Sequence, residues 1–423
     1  MKIMVVGGGG REHALIQKIA ENPKVSQIYA LPGNGGIAAQ AECVPIGAKD
    51  IDGICRFAAE KGIDFAVVAQ DDPLVLGAVD ALNAIGVPCF GPDKKAAAIE
   101  GSKVFAKELM RKYHIPTAAY QVCGSIEEAR DYLDQAAYPL VIKADGLALG
   151  KGVFICQDRQ EADQAVTVIM EDKKFGASGD RIVVEEYLTG PEVSVLAFTD
   201  GHVLEPMVSS MDHKRIGDGD MGPNTGGMGT VAPNPYYTPE IARRCREEIF
   251  LPTMEAMNRE GRPFKGCLYF GLMITAGGPK VIEYNCRFGD PEAQVVLPLL
   301  QSDLLEIMLA VSEERLAETE VRFSDQAACC VIAASQGYPG SYTGGLPIET
   351  GHMDGAILYH AGTKLQDGRL VTAGGRVLGV TAVAPTLNQA RDKAYEEIQK
   401  IHFPGVYYRR DIGKRALAAL EQN

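Results

Sequence analysis

The sequence predicts a multidomain α/β and α+β protein, and three observations carry that reading. Short apolar strands alternate with helical patterns over the first hundred residues, which implies right-handed crossovers and a parallel sheet. Longer strands and glycine turns between residues 139 and 284 imply more antiparallel pairing. From about Gln326, three strand patterns and one helix make a small α+β unit.

In order, Lys2–Val6 reads as a strand, Arg11–Glu21 as a helix, Val25–Ala30 and Asp64–Ala69 as strands, and Pro73–Ile85 as a helix. The run Cys89-Phe90-Gly91-Pro92 punctuates this unit. Ser102 is placed to cap a helix over Lys103–Tyr113. Pro139–Lys143 and Val153–Cys156 are strands flanking a glycine-rich loop, with a helix near Glu161–Glu171. Arg181–Glu185 and Glu192–Phe198, joined across Tyr187–Gly190, are expected to form a hairpin. Residues 206–236, with their glycines and prolines, are expected to form one long irregular loop. A helix over Pro239–Asn258 leads to a hairpin of Cys267–Thr275 and Lys280–Tyr284. The last unit has strands near Ala327–Ala334, Ala356–His360 and Arg376–Ala384, and a helix at Asn388–Ile401.

The 423 residues suffice for about three domains with sizeable cores. A net charge of −13 argues against a nucleic-acid partner, because phosphate backbones are held by excess Lys and Arg. Ten scattered cysteines with no CxxC pair fit neither a zinc site nor a disulfide framework, so a reducing, cytoplasmic setting is expected. No stretch approaches a membrane span in length, so no membrane partner is expected.

Three glycine loops suit phosphates. Gly7–Gly10 lies between the first strand and first helix, where backbone amides and the helix N-terminus favour an anion. A dinucleotide fingerprint fails there. Glu12 stands at the sixth position instead of Gly, and the second strand ends Tyr29-Ala30-Leu31-Pro32 with no acid for a ribose. A phosphate or sugar-phosphate site is the better reading. The second loop, Pro32–Gly36, opens at the same carboxyl edge. The third, Asp145–Gly152, is not a Walker A loop, since its glycine spacing is one residue short and Gly152 replaces the metal-binding Ser or Thr. Nearly free of bulky polar side chains, it suits a flap over a triphosphate, with Lys143 from the preceding strand and Lys103 as a second cation.

The densest chemistry is VIEYNCRFGDPEAQ at 281–294. Glu283 and Asn285, two apart in a strand, point to one face. A carboxylate beside an amide oxygen suits Mg²⁺ carrying nucleotide phosphates. Arg287, Asp290 and Glu292 follow at once.

With VVGGGGREHA at the start, PGNGG at 32–36, GPDKKAAAIEGSK at 91–103 and KADGLALGKGV at 143–153, the chain resembles the ATP-grasp superfamily. EEYLTGPEVS at 185–194, DHKRIGDGDMGPNTGGMG at 212–229 and RFGDPEAQ at 287–294 narrow the likeness to the phosphoribosylamine–glycine ligase family. Cys286 stands where that family commonly has alanine.

The resemblance implies a Rossmann-like domain at 1–100, an ATP-grasp domain at 101–325 with a flexible lid at about 116–188, and a C-terminal domain at 326–423. It also implies ATP-dependent joining of glycine to 5-phosphoribosylamine through an acyl phosphate, by a monomer or weak homodimer. By position, Glu283 and Asn285 are the metal ligands for Mg²⁺ or Mn²⁺. Lys103 and Lys143 contact phosphates, and Gly146, Gly150, Lys151 and Gly152 form the flap. Glu185, Glu186 and Leu188 belong to the adenine hinge, and Glu192 takes the nucleotide ribose. Asp212, Lys214, Arg287 and Asp290 position substrates, with Arg287 clamping a carboxylate or acyl phosphate. Gly9, Asn34, Gly35 and Gly36 hold the phosphoribosyl end.

Overall fold

The computed structural model describes residues 1–148 and 152–422. Its first sheet has five parallel strands: β1 (Lys2–Gly7), β2 (Gln27–Pro32), β3 (Glu42–Cys43), β4 (Phe65–Val68) and β5 (Cys89–Phe90), in the order β3-β2-β1-β4-β5. Helices α1 (Gly10–Ile19), α2 (Ile51–Lys61), α3 (Asp71–Leu76) and α4 (Ala78–Ala84) make the crossovers. The strand order reverses between β1 and β4, so the loops after β1, β2 and β4 open into one crevice. The single helix expected at Pro73–Ile85 is two, because Gly77 at φ +92 breaks it into α3 and α4. Next come α5 (Lys94–Gly101) and α6 (Lys103–Lys112), the latter capped by Ser102 Oγ accepting from Phe105 N–H at 3.1 Å.

A four-stranded antiparallel sheet follows. It contains β6 (Tyr120–Cys123), β7 (Leu140–Ala144), β8 (Val153–Cys156) and β9 (Ile182–Glu186) in the order β6-β9-β7-β8. Helices α7 (Ile126–Leu133) and α8 (Arg159–Val166) cover it, burying Ile142, Ile182, Ala162 and Leu133 in a core of its own. A second antiparallel sheet orders β10 (Glu192–Thr199), β11 (Leu204–Pro206), β16 and β17 as β11-β10-β16-β17, where β16 is Gly266–Thr275 and β17 is Gly278–Asn285.

The hairpin expected from 181 to 198 is therefore wrong. β9 pairs with β6 and β7, whereas β10 pairs with β16 over eight residues. Gly190 makes the crossing between sheets: at φ +145, a Cβ there would lie 2.1 Å from the Ile274 carbonyl oxygen.

The segment expected as an irregular loop holds β12 (Met211–Asp212), β13 (Arg215–Gly217), β14 (Met221–Asn224) and β15 (Gly229–Ala232). β13 and β14 pair with each other. β12 and β15 join the last sheet, ordered β12-β15-β18-β23-β20, with β18 (Ala327–Ala334), β20 (Ala356–His360) and β23 (Arg376–Ala384). The helical stretch from Pro239 to Arg259 comprises α9 (Pro239–Cys245) and α10 (Leu251–Arg259) joined by a π-turn. Helices α11 (Ala293–Leu299) and α12 (Leu304–Ser312) lead into the final unit. That unit also has β19 (Glu349–Thr350), the β21 (Thr363–Gln366)–β22 (Arg369–Thr372) ribbon, α13 (Leu387–Ile398), β24 (Ile401–His402) and α14 (Lys414–Leu420).

The units share cores. Met4, Val6 and Val68 of the first sheet pack in one cluster with Phe250, Phe270 and Tyr284, and Ile3, Val5 and Leu15 in another with Leu196, Val296, Ala328 and Tyr359. This burial holds the crevice of the first sheet against β17 and the last sheet.

Candidate functional site at the junction of the three units

β17 carries the acid–amide pair. Val281 pairs with Leu272 and Glu283 with Gly271, so Ile282 is an extra residue in the strand. Lys143 Nζ donates to the Ile282 carbonyl at 3.0 Å. Beyond the bulge the period of two holds, and Glu283 and Asn285 share a face. Burial works against the Glu283 charge. Lys214 (3.7 Å), Lys143, Lys103 and Arg287 outweigh it and hold the carboxyl below its usual range. The amide orientation that satisfies Asn285 donates from its nitrogen to Glu100 Oε1 (3.0 Å) and the Tyr284 carbonyl (3.1 Å), so neither bond uses the amide oxygen. Among the described residues, no three His, Cys, Asp or Glu converge as a metal site. A divalent ion at Glu283 and Asn285 would be completed by phosphate oxygens, the usual arrangement for Mg²⁺.

The lysines come from α6 and β7. Lys103, at the first turn of α6, donates to the Gly146 carbonyl at 3.2 Å, and burial lowers its pKa. Asp145 ties the start of the third glycine loop to α6 through Ser102 Oγ (2.8 Å) and the Val104 amide (2.9 Å), and also binds Arg181. Gly146 packs on Ser178, and Gly152 on Ala144 and Ala148, where a Cβ would intrude. Gly150 and Lys151 lie outside the described residues.

Lys143 is buried, and its Nζ lies 3.1 Å from Glu185 Oε1. Lys107, which the sequence reading overlooked, faces the other oxygen of Glu185 at 3.2 Å and donates to Thr117 Oγ1 at 2.7 Å. Burial, opposed by Glu185, leaves the Lys107 pKa lowered to about 8. Three charges, two positive and one negative, are thus sealed beneath the lysine face. Glu186 binds Lys280 at 2.8 Å, and Leu188 is half-buried in the segment joining β9 to β10.

On the opposite wall, Lys214 stands 3.6 Å from Glu192 and 3.7 Å from Glu283, and Glu192 above all raises its pKa. Asp212 accepts from the His213 amide at 2.7 Å. Burial and then Glu292 push its carboxyl well above the usual range. Glu292 is buried and accepts from Tyr269 OH at 3.0 Å, and that hydroxyl also bonds Ser194 Oγ at 2.8 Å. The motif glycines allow close approach: a Cβ on Gly227 would lie 2.5 Å from Pro291 Cδ and 2.6 Å from Asp212 Oδ1.

Arg287 is near but engaged, with Nη2 2.8 Å from Glu100 and 3.5 Å from Asp71. Glu100 also accepts the Cys286 amide at 2.7 Å. Glu100 and Asp71 were missed because each comes from a helix distant in sequence.

The crevice of the first sheet is a cleft of ≈ 510 Å³ lined by Gly8, Gly9, Gly33, Lys49, Asp290 and Arg376, among others. Gly9 and Asp290 face each other, since a Cβ on Gly9 would sit 3.2 Å from Asp290 Oδ2. Glu12, wholly buried and bound to Arg11, accepts the Gly9 amide at 2.5 Å. The residue that spoils the dinucleotide pattern is therefore a carboxylate spent on the loop itself. Asn34, Gly35 and Gly36 do not line the cleft. Asn34 bonds Gly8 O, His360 O and the amides of Gly36 and Ile37. Gly35 donates to Thr363 O, and Gly36 packs on the His360 ring. These residues lock the first unit to the last.

The chain matches the phosphoribosylglycinamide synthetase N domain over residues 1–100, its ATP-grasp (A) domain over 101–293 and its C domain over 328–415. It is 48% identical to the phosphoribosylamine–glycine ligase of Caldanaerobacter subterraneus subsp. tengcongensis, covering 97% of this chain and 99% of that one. It is 46% identical to the enzyme of that name from Clostridium acetobutylicum, over 98% and 100%. The crystal structure of phosphoribosylamine–glycine ligase from Thermotoga maritima superimposes with a TM-score of 0.87 at 34% identity, over 97% of this chain and 100% of that one. The biotin carboxylase domain of Hydrogenobacter thermophilus 2-oxoglutarate carboxylase, at 18% identity and a TM-score of 0.76 over 96% and 91%, shares the fold. With its three domain matches in sequence order and relatives alike from end to end, this chain belongs to the phosphoribosylamine–glycine ligase family of ATP-grasp enzymes.

Proposed function

We propose that the protein joins glycine to 5-phosphoribosylamine, converting ATP to ADP and phosphate and releasing glycinamide ribonucleotide for purine synthesis. Family membership supports this reading. The observation that carries it is the cation cluster, Lys103, Lys143 and Lys214, gathered around the acid–amide pair of β17.

In the first step a glycine carboxylate oxygen attacks the γ-phosphorus, the bond to the β-phosphate oxygen breaks, and ADP leaves. In the second the substrate amine attacks the glycyl carbonyl carbon, the bond to phosphate breaks, and the amine loses a proton. Both steps pass through added negative charge, which fixed cations in a water-poor site stabilise. Lys103 and Lys143 are placed for the nucleotide phosphates, and Lys214, between Glu192 and Glu283, for the transferring group. A Mg²⁺ or Mn²⁺ ion, when held by Glu283 and Asn285, would neutralise phosphate charge. Glu185, Glu186 and Leu188 are placed for the nucleotide hinge and Glu192 for its ribose. The third glycine loop, Gly146 to Gly152 with Gly150 and Lys151, would fold over the phosphates.

Asp212 is the candidate acceptor of the amine proton, because burial and then Glu292 raise its pKa and so make its carboxylate a stronger base. Arg287 and Asp290 orient the substrate side, and the Gly9 cleft takes the sugar phosphate. We read the protein as a cytoplasmic monomer or weak homodimer acting on small molecules, without nucleic acid or membrane. No helix among the described residues is long and apolar enough to cross a membrane.

The test is glycine-dependent ADP release with ribose 5-phosphate and ammonia supplying the amine in situ. ADP release that ignores glycine, or that needs no sugar phosphate, refutes the assignment.

A further inference from the structure

Lys214 lies between β12 and β13, and the ribbon that β13 forms with β14 has little of its own to hold it. The two strands pair only with each other, residues 218–224 are all exposed, and Ile216 is the ribbon's contact with a core. A two-stranded ribbon of this kind is marginal in water. Yet its position sets that of Lys214, whose carbonyl accepts from the amide and the hydroxyl of Thr225, just past β14, at 2.7 and 2.8 Å. Ribbon and lysine move together.

The ribbon is held by the segment 407–413, ahead of α14. Arg409, 1% exposed, donates from Nη1 to the Arg215 carbonyl (3.0 Å) and to Asp220 Oδ1 (2.9 Å). Its Nε and Nη2 bind the two oxygens of Asp411 at 2.8 Å, and Asp411 also accepts the Gly219 amide at 2.8 Å. Tyr407 OH donates to the Ile216 carbonyl at 2.9 Å. On the other side of Lys214, the buried His213 ring accepts the Gly413 amide at Nε2 (3.1 Å), so Nδ1 carries the proton toward the Gly229 carbonyl at 3.0 Å. Burial and then the Arg409 charge lower its pKa to about 4, which keeps the ring neutral in that tautomer. Both chain neighbours of Lys214 are thus fixed by one stretch of the C-terminal unit, while the lysine itself stands between Glu192 and Glu283.

We propose that Arg409 is a positioning residue for the ligase reaction: through the Arg215 carbonyl and Asp220 it fixes the ribbon, and so aims Lys214 between Glu192 and Glu283. An ion cluster buried this deeply adds little net stability, since well-packed apolar side chains in its place often do as well. Apolar packing does not supply direction. The guanidinium fork meets its partners at fixed angles, and this sets where the ribbon lies. The inference rests on the place given above to Lys214 at the transferring group.

The experiment is a double-mutant cycle in the full-length protein: Arg409→Met, Lys214→Met and both together, with Arg409→Lys and Asp220→Asn alongside. Turnover and the Michaelis constant of each substrate are measured, together with calorimetric Mg-ADP binding and melting temperature. Arg409→Met should lower turnover about 10- to 100-fold, as a misplaced catalytic group does, with Mg-ADP affinity within about twofold. Arg409→Lys should recover part of that loss. Asp220→Asn, which suits the φ of +56 at that position, should show a smaller loss of the same kind. In the Lys214→Met background, Arg409→Met should cost less than about threefold more, because the two act through one group. Losses that multiply overturn the proposal. So does an equal fall in turnover and Mg-ADP affinity with a lowered melting temperature, which would make Arg409 only a staple. Full turnover in Lys214→Met refutes the role of Lys214 and this proposal with it, whereas a deep loss there that Arg409→Met multiplies refutes the proposal alone. If Arg409→Met does not fold, Arg409→Lys and Asp220→Asn complete the same cycle. Crystals of Arg409→Met, or of Asp220→Asn in its place, should show Lys214 Nζ moved by about 1 Å or more from its place beside Glu283. An unmoved Lys214 overturns the proposal whatever the kinetics.

Discussion

Replacing Lys107 by Met should weaken nucleotide binding while leaving the protein folded. Lys107 Nζ lies 3.2 Å from Glu185, whose other oxygen lies 3.1 Å from Lys143. Without Lys107, Glu185 and Lys143 cancel, and the nucleotide phosphates lose one unit of positive charge. Taking that charge as about 8 Å from the phosphates at an effective dielectric of about 20, the loss is roughly 2 kcal/mol, or about a 30-fold weaker Mg-ADP complex. Folding stability should hardly fall, because the buried charge is costly: a lysine pKa lowered from 10.5 to about 8 costs about 3 kcal/mol at neutral pH.

The sign of the pH dependence follows. Between about pH 8 and 10.5 the unfolded chain keeps a proton that the folded one releases, so stability rises with pH across that window. Nucleotide affinity moves the other way, falling above about pH 8 as Lys107 loses its charge next to Glu185, Glu186 and Lys143. ADP phosphates are fully ionised there and contribute no titration of their own. The assay is calorimetric Mg-ADP binding from pH 7 to 9.5, for wild type and Lys107→Met. An affinity that is flat with pH in the wild type, or equal in the two proteins at pH 7, refutes the reasoning.

Three further outcomes are expected. Glu283→Gln should lower turnover by about 100-fold or more at saturating Mg²⁺, since it removes charge from a transition-state site, and wild-type turnover would refute the ligand assignment. Gly227→Ala combines a φ of +116 with a Cβ 2.5 Å from Pro291, so strain and overpacking should cost about 2–5 kcal/mol in denaturant unfolding; an unchanged midpoint would contradict the packing around Asp212. Asp145→Ala removes acceptors of Ser102, Val104 and Arg181, and should lower turnover about 10-fold with adenine-nucleotide affinity within about threefold. Loss confined to affinity would show that the loop base does not guide chemistry.

The local patterns were readable because they need only neighbours. Alternation placed β1, β2 and β4, glycine runs marked the crevice, and the period of two put Glu283 beside Asn285 despite the bulge at Ile282. Failures came where a distant segment decides. The strands on either side of Gly190 look like a hairpin from within, yet β10 finds its partner some seventy residues later in β16. The glycines at 226 and 227 read as part of one long irregular loop, whereas they admit Arg376, Asp212 and Pro291 at short range. Asn34 reads as a ligand group; its side-chain amide donates to the Gly8 and His360 carbonyls, which ties the first glycine loop to β20, and its oxygen accepts from the local amides of Gly36 and Ile37. The buried charge partners Lys107 and Glu100 gave no signal of their own, because a charged residue in a helix reads as solvated until its surroundings are known.

The most direct measurement is the location of Mn²⁺ when the protein is given Mn²⁺ and a non-hydrolysable ATP analogue, read by anomalous scattering from crystals. The account predicts one ion or two between the nucleotide phosphates and β17, within coordination distance of Glu283 and Asn285, and lost in Glu283→Gln. Nucleotide bound with its metal held elsewhere, or with Glu283 still paired to Lys214 and no ion beside it, would contradict it.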